Sequence, residues 1–91
     1  MVKDKALLRV LEEAALRRGL LIRRDKGNFQ GGLCVVEGQS VIILNRTHPI
    51  EMQLSVLASA LQKDPMDDIP MRPAMRLAVE KLMQKADPEP A

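Results

Sequence analysis

Apolar residues in the first eighteen positions recur at helical spacing. Leu7, Leu8, Leu11, Ala14 and Ala15 fall on one face at i, i+3, i+4 and i+7, which predicts a helix over 4–18. Arg17 and Arg18 would sit in its last turn, where positive charge complements the helix dipole, and Gly19 follows as the expected stop. The pattern then changes to short β-rich runs over 20–24, 33–37 and 41–45, separated by turn formers. Gly38-Gln39-Ser40 is a tight link, so the second and third runs are expected to form an antiparallel hairpin. Val41-Ile42-Ile43-Leu44 is apolar at four successive positions, whereas a strand with one buried face would alternate. That run is therefore expected at the centre of the sheet, or with its second face covered by something else.

A second helical pattern covers 49–63. Pro49 suits its first turn, and Ile50, Leu54, Leu57, Ala58 and Leu61 form its apolar stripe, with Met52 and Val56 on the opposite side. Glu51 and Lys63 are its only charges, which predicts a helix packed on more than one side. A linker over 63–70 leads to a last helix over 73–86 with Met75, Ala78, Val79, Leu82 and Met83 as its stripe. Residues 87–91 read as a frayed, proline-broken tail. The expected fold is α+β in the order αβββαα. It is a single domain over 1–86, with a small, largely antiparallel three-stranded sheet and helices on one face.

Composition narrows the function classes. Ninety-one residues give a thin core margin, and Cys34, the only cysteine, excludes an internal disulfide framework. A lone thiol, a charged start without a secretory pattern and no apolar run near ~20 residues point to a cytoplasmic protein without a membrane span. The net charge of +2 is small, but it is unevenly spread: residues 1–46 carry +4 and residues 47–91 carry −2. Phe29 is the only aromatic residue, which removes base stacking and aromatic interface anchors.

The candidate chemistry is sparse. His48, the only histidine, stands one helical turn before Glu51, with Asn45 nearby; two ligands would still need a third for zinc. The bland reading of His48 is a helix-start residue beside Pro49. Cys34 has no Lys, Arg or His within two positions, so it is expected as a core residue rather than a nucleophile. The glycines Gly27, Gly31 and Gly32 sit between two strands with no Lys-Ser/Thr after them, which favours a turn or a close backbone approach over a phosphate cradle. Arg17, Arg18, Arg23, Arg24 and Lys26 could contact an anion or an acidic partner, and the modest net charge argues against nucleic acid. Asp64, Asp67 and Asp68 lack calcium-loop spacing and read as solvated charges. Most methionines are expected as core filler. No residue set here calls for a metal or cofactor.

The runs Gly31-Gly32-Leu33-Cys34-Val35-Val36 and Val41-Ile42-Ile43-Leu44-Asn45-Arg46, followed by a helix from Pro49, resemble a group of short uncharacterised bacterial proteins with a Gly-Gly-x-Cys-x-Val and Ile-Ile-Leu-Asn pattern. The likeness spans about residues 7–83. More distantly, the order helix, sheet, Ile-Leu-Asn, helix is similar to the minimal zinc-peptidase domain of the ImmA/IrrE type. In that family the helix after the Asn carries His-Glu-x-x-His. The matching stretch here, Leu57-Ala58-Ser59-Ala60-Leu61-Gln62, has neither residue, so the resemblance implies an inactive relative and transfers no functional residue.

The sequence therefore points to a non-catalytic interaction or regulatory domain, in the form of a homodimer. Helices on one sheet face leave apolar strand residues on the other, including Ile42 or Ile43, while Met52 and Val56 offer a second patch. Aspartate at Ile42 or Ile43, whichever faces outward, is expected to give a folded monomer. The alternatives are a small metal- or ligand-dependent enzyme around Asn45, His48 and Glu51, and a nucleic-acid accessory protein using the arginine corner.

Overall fold

The computed structural model describes residues 2–61 and 66–86. The tail over 87–91, Asp64 and the predicted end of the second helix lie outside the described residues. The element order is α1 (Asp4–Arg17), β1 (Leu21–Asp25), β2 (Gly32–Val36), β3 (Gln39–Asn45), α2 (Ile50–Leu61) and α3 (Pro73–Lys85). This is the expected αβββαα order in an α+β fold.

Local sequence explains the element boundaries. At the end of α1 the amides of Gly19 and Leu20 donate to the carbonyls of Leu16 and Ala15, the paired bonds of a Schellman stop. Glu37 and Gly38 both have positive φ, 51° and 80°, which makes the β2–β3 link a two-residue turn of the type that matches strand twist. That turn is one residue tighter, and begins earlier, than the Gly38-Gln39-Ser40 link expected from sequence. At α3, Pro73 occupies the first turn, where a missing N–H costs nothing.

The sheet order is β1-β3-β2, with β3 parallel to β1 and antiparallel to β2. The sheet is thus mixed rather than largely antiparallel. The apolar run of β3 demands a neighbour on each side, and placing β3 between the other two supplies both. Register pairs Ile22 and Leu33 with Ile42 on one face, and pairs Leu21 and Cys34 with Val41 on the other.

α1 and α2 pack together on the first face, and α3 lies against both helices. Ile42 and Leu44 are fully buried there with Leu11, Leu54 and Leu57. Each such side chain contributes about 1.5–3 kcal/mol through burial. Ile42 therefore belongs to the core and offers no surface to a partner; of the two isoleucines only Ile43 faces away from the helices. Met66 and Ile69, from the segment between α2 and α3, are buried under the helices, and Met71 and Met75 pack at the margin. Met52 is exposed, while Val56 packs partly buried against the core and adds little to any patch.

Candidate functional site: the open side of the sheet

The second face of the sheet carries Leu21, Arg23 and Asp25 from β1, Val41, Ile43 and Asn45 from β3, and Gly32, Cys34 and Val36 from β2. Among the described residues no helix covers it. Leu21 is 51 % exposed and Val36 45 % exposed. Cys34 is half-buried on this face, not in the core where sequence placed it.

β2 is more open than its neighbours. As an edge strand it is paired on one side only, by β3. On the helix side, Leu33 is 41 % exposed and Val35 68 % exposed, because the helices do not reach fully over this edge. The strand Gly32-Leu33-Cys34-Val35-Val36 has no charge and no proline. The opposite edge, β1, carries Arg23, Arg24 and Asp25. Charged side chains are the usual guard against strand pairing, and here only one edge has them.

The loop from β1 to β2 must cross the C-terminal end of β3, because β3 lies between them. Asn45 anchors that crossing. Its Nδ2 donates to the carbonyls of Gly27 and Phe29, each at 2.8 Å, and its Oδ1 accepts from the Thr47 amide at 3.0 Å and the Thr47 hydroxyl at 2.7 Å. All four hydrogen-bonding positions of this buried amide are thereby used inside the fold. The Arg46 amide adds a bond to the Asp25 carbonyl at 2.9 Å. Gly31, at φ 86°, passes so close to β3 that a Cβ would stand 2.5 Å from the Ile43 carbonyl oxygen. Gly31 thus serves a close backbone crossing, one of the roles its place between two strands suggested.

The other candidates from the sequence do not converge. His48 sits half-buried before α2, its amide donating to the Asn45 carbonyl at 3.1 Å and its carbonyl accepting from Gln53 Nε2 at 3.0 Å. Its Nδ1 is buried without a hydrogen-bond partner among the described residues. Glu51 is exposed in the first turn of α2, where its charge complements the helix dipole. Among the described residues no group of three or more His, Cys, Asp or Glu could hold a metal ion. Along α2 the side chains of Leu54, Leu57, Ala58 and Leu61 are buried.

The arginine corner is largely neutralised within the chain. Arg18 forms a two-pronged bond to the Asp68 carboxylate at 3.0 and 2.7 Å, and Arg17 reaches the Asp68 carbonyl at 3.2 Å and Glu13 at 3.2 Å. Arg24 pairs with Glu12 of α1 on the helix side, and Arg23 pairs with Asp25 at 2.9 Å on the open side. Lys26 is exposed in the crossing loop. Asp68 is an exposed charge, as its place in the linker suggested, and it pairs with Arg18 across the fold.

The Arg18 hydrogen bond, assisted by a backbone bond and by the Arg17 charge, holds the Asp68 carboxyl below its ordinary value of 3.8 despite some opposing desolvation. A group whose pKa is lowered by folding stabilises the fold above its unfolded value, and that contribution is lost as pH falls through the folded value. Asp68→Asn is therefore expected to lower thermal stability at neutral pH, with the gap from the parent closing once pH falls below 3.8. Melting curves of both proteins between neutral and strongly acidic pH check this. A gap that widened in acid would contradict it.

No helix among the described residues is long and apolar enough to cross a membrane. Comparison with known proteins gives no match to any family model, curated protein or solved structure.

Proposed function

We propose that this chain is a non-catalytic protein-interaction domain of the cytoplasm that works as a homodimer, with the β2 side of its sheet as the self-association surface. The observation that supports this reading is the uncharged edge strand β2. It exposes Leu33, Val35 and Val36 beside the half-buried Cys34, while the opposite edge is charged. An unguarded apolar edge is a template for pairing, and small domains with thin cores gain stability by covering such surface. A second copy supplies the same surface in closed two-fold symmetry, which ends growth at two chains.

The alternatives lose their footing at particular residues. An enzyme built on Asn45, His48 and Glu51 would need Asn45 free, and its amide is fully engaged in holding the loop. A nucleic-acid surface on the arginine corner would have to break the pairs that Arg17, Arg18, Arg23 and Arg24 make with carboxylates.

Val35→Lys tests the reading, because it sets one charge in the middle of the uncharged edge without touching the core. Its side chain is already 68 % exposed, so the fold should be unchanged within about 0.5 kcal/mol. Sedimentation of both proteins is expected to show a dimer for the parent and a monomer for the variant. A parent that is monomeric at micromolar concentration would remove the proposal.

A further inference from the structure

Resting on that reading, we infer that β2 pairs antiparallel with β2 of a second copy, with Cys34 on the two-fold axis, giving a continuous six-stranded sheet. The register follows from the hairpin. The Glu37-Gly38 turn closes on the Val36–Gln39 pair, and hydrogen-bonded pairs alternate with non-bonded ones along an antiparallel ladder. Val36, Cys34 and Gly32 therefore turn their backbone groups towards β3. Leu33 and Val35 turn theirs outward, away from the sheet. A two-fold axis at Cys34 sets each Leu33 opposite Val35 of the second copy. Both outward residues of each chain then exchange N–H and C=O bonds, giving four bonds in all.

Side chains agree with that register. On the helix side, Leu33 and Val35 are both exposed, and each gains the other as its cross-strand neighbour. On the open side, Val36 of the second copy lies opposite Gly32. A Cβ at Gly32 would meet nothing within 4 Å, and it borders a hollow of about 310 Å³ lined by Phe29, Gly31, Gly32, Leu33, Cys34 and Ile43. Gly32 lacks the side chain that would fill its place between Ile43 and the edge, and Val36 of the second copy supplies one. The two hollows are filled reciprocally.

Cys34 reports on the register directly. Opposed across a non-bonded pair, the two Cys34 Cα atoms stand about 4.5 Å apart. That separation lies within disulfide reach. With copper–phenanthroline in air, the two thiols give up two electrons and two protons to dioxygen, and one S–S bond forms. The parent is expected to run on a non-reducing gel at twice its 10.1 kDa mass, and the product should revert with dithiothreitol. Cys34→Ser combined with Val36→Cys is expected to give no such product, since in this register the two positions 36 are about 14 Å apart. Val35→Pro deletes an outward N–H while leaving the ladder to β3 intact, and should give a folded monomer that no longer cross-links. A dimer in solution that cross-links through position 36 and not through Cys34, or that survives Val35→Pro, overturns this register but leaves the self-association reading standing. A parent that is monomeric overturns both.

Discussion

Ile42→Asp is expected to leave no folded protein, while Ile43→Asp, one residue later, should fold. Ile42 is fully buried between β1, β2 and the helices, where a carboxylate has neither water nor a cation to meet it. Burying an unpaired charge costs more than about 4 kcal/mol, or forces the group to neutralise. A small domain has only about 5–15 kcal/mol in total, and this one has a thin core. Ile43 points to the open face and is half-buried, so its carboxylate reaches water. It also borders the hollow assigned to Val36 of the second copy. The Ile43 variant should therefore keep its helical circular dichroism and its cooperative melt, and its dimer should dissociate at lower dilution than the parent's. The Ile42 variant should show no cooperative melt. If the Ile42 variant folds and the Ile43 variant does not, the facing of β3 is wrong.

Asn45→Ala should have the second-largest effect, although no ligand or partner touches that residue in this account. Removing the amide leaves the carbonyls of Gly27 and Phe29 without their donor and the Thr47 amide without its acceptor. Unsatisfied buried groups of this kind cost about 1–3 kcal/mol each, and partial access of water to the loop limits the sum to about 2–3 kcal/mol. In a domain of this size that is a fall in Tm of at least about 8 °C. Asn45→Asp should be no better, since a carboxylate accepts but cannot donate to two carbonyls. Calorimetry of the three proteins decides it. An Asn45→Ala protein that melted with the parent would mean that the loop crossing does not depend on this amide.

These two residues show what the sequence discloses and what it withholds. The run Val41-Ile42-Ile43-Leu44 announced a central strand, because four successive apolar positions need cover on both faces and a neighbour on both edges. The tight, Gly-containing link announced the hairpin between β2 and β3, since its geometry is local. The position of β1 was not legible. β1 and β2 are adjacent in the chain, and nothing in their residues says that β3 will lie between them. Only the crossing that results explains why Asn45 is buried and why Gly31 tolerates no side chain. The same non-local step turned an expected largely antiparallel sheet into a mixed one. Cys34 lies on the open face instead of in the core because the helices take the face of Leu33 and Ile42.

The candidate site was legible in part. The excess of apolar strand residues pointed to an uncovered sheet face, but not to which of Ile42 and Ile43 lay on it. That choice depends on which face the helices take, and a one-residue change in register would exchange them. The exposure of Leu33 and Val35 on the helix side of β2 depends on how far the helices extend across the sheet, a matter of helix placement that periodicity does not encode. The exposure of Asp68 was legible from its polar linker, but its pairing with Arg18, fifty residues away in sequence, was not.

The central claim is that the uncharged edge of this domain is covered by a second copy of itself. Native mass spectrometry of the untagged parent chain at micromolar concentration tests it most directly. The account predicts a species of twice the 10.1 kDa chain mass, with no adduct needed to hold it together. A monomer at that concentration would contradict it.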